Sequence, residues 1–363
     1  MKNYFTSVLG ISLMVVACSS DPKMSTGMGN GGTNEPSDSG TSMSNPDSGS
    51  VTNPDAGLTT NEDAGTTPMP DPDAGVDFTR DPTCPMEASW ITTVSGKVTD
   101  EMGEPLQGAW AQLCLIACES EMSTGAWDCS STISVCLPPA DSIADGTFEV
   151  LVPEANRCLL EMTMRNLQFG EDRATMYCHL DLNNAESAYD VNESLVLYST
   201  VPAPNLPAEG DKMMTREVEF ASGLSLSLAP NDYYGDYALL AAAPVSPQNL
   251  CFVSNPGSVD ALYAFSPEGT AAVDFSSNTI KEISVKVPVP SNAMAAPGDK
   301  YKMYVLGGLG CPDPQSMEPG SNFIKEGDWS VFSTGTVDMT GTMIESEPGS
   351  GIPCLTWIKI EKE

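Results

Sequence analysis

Histidine is almost missing from this chain, with one, His179, in 363 residues. A hydrolase triad needs a base to take the nucleophile's proton, so a single imidazole could serve. Basic side chains are scarce too, 16 against 49 acidic ones, for a formal charge of −33. That balance argues against nucleic acid as a partner, because phosphates are held by Lys and Arg that displace counterions. It also argues against lying on anionic lipid, and implies a solvated, self-repelling surface. After the first residues no apolar run approaches the roughly 18 residues of a spanning helix, and Leu239–Ala243 falls far short. No serine is framed as Gly-x-Ser-x-Gly, and there is no His-Glu-x-x-His. Gly223-Leu224-Ser225-Leu226-Ser227 lacks the second glycine and alternates like a strand. Paired carboxylates of the glycosidase kind stay open, since Asp and Glu are plentiful and their separation is set by the fold.

What is present begins with an address. Lys2 supplies a positive start, Phe5–Val16 is mostly apolar and uncharged, and small Ala17 precedes Cys18. Together these are the parts of an export signal. Val15-Val16-Ala17-Cys18 resembles the lipobox of bacterial lipoproteins, in which the signal is cut before the Cys and that Cys carries the lipid. The resemblance implies a signal peptide over 1–17 and lipid attachment at Cys18. Ser19 after the Cys, rather than Asp, resembles the pattern that directs such proteins to an outer membrane. The alternative is an ordinary secretory signal cut after Ala17. On the lipid reading the acyl chains alone hold the body at the membrane, at about 0.8 kcal/mol per buried methylene.

Setting Cys18 aside leaves ten of the eleven cysteines: Cys84, Cys114, Cys118, Cys129, Cys136, Cys158, Cys178, Cys251, Cys311 and Cys354. An even number in an exported chain predicts disulfides. Cys114-x3-Cys118 also has the spacing of a zinc site, but with one histidine in the chain the expectation is no metal and no cofactor.

Residues 18–83 are mostly Gly, Ser, Thr, Asn, Asp and Pro, with too few apolar groups to offset chain entropy. An Asp-Ser/Ala-Gly unit recurs at Asp38, Asp47, Asp55, Asp63 and Asp73, and each is a turn former. One carboxylate per unit does not make a calcium loop. A disordered acidic linker is expected, and a flexible coil of about 65 residues has a root-mean-square span of roughly 45 Å.

From Cys84 the texture is period two. Val94–Val98 runs into a turn at Asp100–Gly103, and Ala109, Ala111, Leu113 and Leu115 alternate with more polar positions. Asp145-Gly146 then launches Thr147–Pro153. Alternation returns at Leu160, Met162 and Met164 and at Leu195–Tyr198, until the prolines at 202, 204 and 207 interrupt any ladder. Beyond them Val218 and Phe220, Leu224–Leu228, Ile283–Val289 and Tyr301–Val305 alternate again. The pattern predicts an all-β chain: two β-sandwich domains, 84–207 and 208–363, behind the linker. His179, in Tyr177-Cys178-His179-Leu180-Asp181, reads as a structural histidine at a strand edge.

The stretch VSGKVTDEMGEPLQGAWAQL, followed by DGTFEVLVP, resembles the carboxypeptidase regulatory-like domain, a transthyretin-type β-sandwich used as a non-catalytic module, over Val94–Pro153. Between the two pieces this chain departs from the pattern, placing Cys114, Cys118, Cys129 and Cys136 on what reads as a Ser/Thr/Gly-rich loop. One arrangement among many is nested, with 118 to 129 inside 114 to 136. Val259–Ile360, with YAFSPEGT and GTVDMTGTMIESEPGSGIPCLTW, loosely resembles the ZU5 domain. Some ZU5 domains cleave themselves at His-Phe-Ser; here the residues are Ala264-Phe265-Ser266.

These readings converge on a non-catalytic, lipid-anchored envelope protein, at an outer membrane and facing periplasm or cell surface. Its partners would be the membrane, through the lipid, and an envelope protein or glycan. The rival expectation is a carboxylate-based glycosidase or a carbohydrate-binding accessory. Trp110, Trp127, Tyr233, Tyr234 and Tyr237 could stack on sugars or anchor a partner, or fill cores.

Overall fold

The computed structural model describes residues 79–363 apart from short internal stretches, the longest being 205–212 and 314–322. The expected export signal, Cys18 and the expected linker as far as residue 78 lie outside the described residues. The chain is all-β, and two short 3-10 turns, Glu154–Asn156 and Pro256–Ser258, are its helical parts among the described residues.

The first sheet has nine strands: β1 (Ser89–Asp100), β2 (Trp110–Ser120), β3 (Trp127–Cys136), β4 (Ala140–Asp141), β5 (Thr147–Leu151), β6 (Cys158–Leu167), β7 (Met176–Leu180), β8 (Glu186–Asp190) and β9 (Leu195–Leu197). Its order is β3-β2-β6-β1-β5, with β7 on β6 and with β8 and β9 parallel to β1. β1 pairs on one side with β6 at Ser89 and Trp90 and then with β5, and on its other side with β8, followed by β9. The sheet thereby folds into two layers around Ile91, Val94, Leu113, Leu115, Met162 and Met164, all fully buried. Each such side chain contributes roughly 1.5–3 kcal/mol by leaving water.

The turns follow from their residues. Asp100 accepts from the backbone N–H groups of Met102 and Glu104, both at 2.9 Å, while Gly103 takes φ 83°. Gly146 takes φ 80° in the turn before β5, and any Cβ there would meet the Val98 carbonyl oxygen at 2.4 Å. Only glycine fits both demands.

The second half begins with β10 (Val201–Pro202), β11 (Arg216–Glu219), β12 (Ser225–Leu228), β13 (Asp232–Tyr234), β14 (Ala241–Pro244), β15 (Ala261–Ser266), β16 (Ala272–Asp274) and β17 (Thr279–Lys281). It ends with β18 (Ser284–Pro288), β19 (Lys300–Leu306), β20 (Trp329–Val337), β21 (Met343–Ser346) and β22 (Trp357–Lys362). Ten of these form a sheet in the order β10-β14-β15-β22-β19-β20-β21-β18-β12-β11, and β13-β16-β17 make a small separate one. Pro202 sits on the edge strand β10, where a missing N–H costs least. Val218, Leu226, Val285, Tyr301, Met303 and Ile360 are fully buried in the core of this half.

Packing crosses position 207. The first core includes Leu250, Phe252, Leu262, Leu306 and Trp357 from the second half. Trp357 Nε1 donates to the Thr175 carbonyl at 2.6 Å, and its ring meets Tyr198 edge-on at 5.9 Å.

Candidate functional site

The ten described cysteines form five pairs: Cys84–Cys158, Cys114–Cys136, Cys118–Cys129, Cys178–Cys251 and Cys311–Cys354. The four expected on a loop lie instead on strands, Cys114 and Cys118 on β2, Cys129 and Cys136 on β3. The Ser and Thr content suggested a loop, but Ser130–Val135 alternates between faces, and cross-strand packing rather than composition sets strand formation. The two bridges are nested, stapling β3 to β2. Sulfurs of Cys118, Cys129 and Cys158 lie within 4.8 Å of one another, yet all three are spent in disulfides, so none is a thiolate ligand.

Trp127 is buried and packs edge-on against Trp90 at 5.9 Å, with Nε1 donating to Asp81 at 3.3 Å. It braces the Cys84 segment rather than presenting a stacking face, whereas Trp110 on β2 is partly exposed. The side chains of Tyr233 and Tyr234, and all of Tyr237, lie outside the described residues.

The densest polar cluster runs along the outer face of β6 and β7, where the 324–328 turn of the second half covers it. Glu161 accepts from Lys325. Arg165 donates to Gln112 and stands 3.8 Å from Glu326. Tyr177 is fully buried and its hydroxyl donates to Glu268. His179, directly across from Thr163, shares a 3.1 Å hydrogen bond with the Thr163 hydroxyl through Nδ1 and one of 3.0 Å with Asp328 through Nε2.

Burial sets the electrostatics here. It pushes the Glu326 carboxyl above its ordinary range, because at 3.8 Å the Arg165 charge offsets only part of the desolvation. Tyr177 is pushed well up by burial first and by the Glu268 charge second, so its phenol keeps its proton.

A groove of about 250 Å³ opens beside this cluster. It is lined by Ile116, the Cys114–Cys136 bridge, Glu161, Thr163, Lys325 and Glu326. A second hollow of about 290 Å³ is lined by His179, Asp181, Tyr189, Asp190 and Asn249. Hydroxyl, imidazole and carboxylate in a row are the parts of a nucleophilic triad. However, β6 is laddered to β2 at Cys114↔Thr163 and to β7 at Thr163↔His179. The backbone N–H of Thr163 is therefore committed to the sheet and does not supply an oxyanion donor. The row forms a cross-strand and inter-half hydrogen-bond chain.

Sequence reasoning singles out His179 but not Glu161, Lys325, Glu326 or Asp328. Their partners lie 149 and 164 positions apart in the chain, and no local spacing marks them. Compared with known proteins, the chain matches no family model and no curated protein.

Proposed function

We propose that this chain is an exported, lipid-anchored envelope protein, tethered at Cys18, whose β-sandwich body binds a partner rather than turning over a substrate. The observation that carries the export part is cysteine use: every cysteine among the described residues is in a disulfide, as expected of a chain folded in an oxidising compartment. Cys18 is the odd one of eleven, and it stands where a lipobox-like signal ends. The resemblance of Val94–Pro153 to a non-catalytic module supports the binding part, as does the commitment of the Thr163 amide to the sheet. The test is fractionation: wild type partitions with membranes and Cys18→Ser is released, whereas equal membrane retention of both rules out the anchor.

One observation favours a second reading, a glycosidase. Glu161 and Glu326 line the same groove, and burial holds the Glu326 carboxyl towards its protonated form, as a general acid requires. Turnover of a glycan by wild type that is lost in Glu326→Gln and Glu161→Gln would establish that reading. Partner or glycan capture without turnover supports the first.

A further inference from the structure

The sheet edges of this molecule are guarded unevenly. β10 is two residues long and contains Pro202, and β11 is four residues with Arg216, Glu217 and Glu219. β5 has five residues and Glu149 among them. Such short, charged or proline-bearing edges resist adding another strand. β3 is different. It runs for ten residues with neither Lys nor Pro, and among the described residues it pairs only with β2.

The register shows which backbone groups β3 leaves open. Leu137 donates to the Leu113 carbonyl at 2.8 Å, so the next pair inward, Cys114↔Cys136, is a close pair without mutual hydrogen bonds, with Cα atoms 3.9 Å apart. Alternation makes Ile116↔Ser134 and Cys118↔Thr132 pairs of the same kind. The N–H and C=O groups of Thr132, Ser134 and Cys136 therefore point away from β2, toward the free edge. On the inner face Ile133 and Val135 are only partly buried against the first core, so an added strand would cover them. The disulfides Cys114–Cys136 and Cys118–Cys129 hold this edge in place.

Charge selects the occupant. Between Lys97 and Arg157, the stretch that contains β2 to β5, the chain carries ten carboxylates and no Lys or Arg. A second copy of the same edge would bring like charges together, while a cationic chain would be drawn in.

We propose that the free edge of β3 is a strand-addition site for an extended peptide segment of a partner protein, with apolar residues alternating with lysine or arginine. The apolar row continues the sheet over Ile133 and Val135. The cationic row lies on the outer face, in the field of the chain's net negative charge, and main-chain bonds to Thr132, Ser134 and Cys136 provide the docking. This site rests on the binding role proposed above and specifies where and what the body binds.

The test uses the full-length protein and three capped octapeptides, alternating Lys-Val, Lys-Pro and Glu-Val, followed by fluorescence anisotropy. Lys-Pro has the charge of Lys-Val but cannot extend a ladder. Lys-Val binds at least tenfold more tightly than either control, and its affinity falls as salt rises. Ser134→Pro removes one outward N–H that the β2 ladder does not use, and Ser134→Lys keeps the N–H but adds a repelling cation. Both reduce Lys-Val affinity at least tenfold, and the second decides the matter should the first disturb the fold. Equal binding of Lys-Val and Lys-Pro, or wild-type affinity in both variants, overturns the proposal. So does a wild-type dimer that Ser134→Lys dissociates, which would assign the edge to a second copy. Capture of an envelope partner that is undiminished by Ser134→Lys overturns the edge site while the binding role stands; no capture and no peptide binding by wild type overturn both.

Discussion

Glu326 illustrates how one half-buried side chain imposes a pH dependence on the fold. Its folded pKa is raised above that of the unfolded chain, so folded protein binds its proton more tightly. The contribution is fully present below the unfolded pKa and is lost as pH rises through the folded one. Glu326→Gln should therefore flatten the decline in melting temperature on the neutral side, and at neutral pH it should be neutral or stabilising. A clear loss of stability at neutral pH would show that the ion pair with Arg165 outweighs the cost of burial. Asp338 has the opposite sign, since the Thr340 hydroxyl and the backbone N–H groups of Met343 and Thr342 hold its pKa down. Asp338→Asn should lower the melting temperature at neutral pH and make no difference in strong acid, once the native carboxyl is itself protonated. An equal drop at both extremes would mean that packing, rather than the carboxylate, is what the substitution removes.

At the scale of the element, the strands that alternate cleanly are legible in the amino-acid sequence. Val94–Val98, Ala109–Leu115 and Thr147–Leu151 fall in or run into β1, β2 and β5, because a half-buried strand writes its burial directly into a period of two. β3 is not legible in this way, since its outward row is Ser, Thr and Cys and its inward row is short. The strand order of the second sheet, and the approach of Lys325 to Glu161, depend on long-range packing that leaves no local trace. The same distinction bears on the disulfides. Cys178–Cys251 spans 73 positions and joins β7 to the second half, whereas Cys118–Cys129 spans 11 within one hairpin. In the chain-entropy account the longer loop contributes about 4 kcal/mol and the shorter about 3 kcal/mol. Replacing both cysteines by serine in each pair should thus cost more at 178/251 than at 118/129 in urea unfolding. The reverse order would mean that the Cys118–Cys129 staple is what keeps β3 on the sheet.

For the whole molecule, charge and disulfide pairing accord with the tether proposed above. A chain with a formal charge of −33 repels its neighbours and anionic lipid, so the membrane attachment proposed above would need a covalent device rather than the protein surface. Among the described residues no helix is long and apolar enough to cross a membrane. The acyl chains proposed at Cys18 would meet that need, and a long acidic linker would hold the disulfide-bonded sandwich away from the bilayer. The N-terminus of the mature protein is where the tether is tested most directly. Intact-mass and N-terminal peptide measurements on protein extracted from membranes should give a chain that begins at Cys18, heavier than its residues by the mass of the attached acyl groups. A chain that retains Met1, or one that begins at an unmodified Cys18, would contradict it.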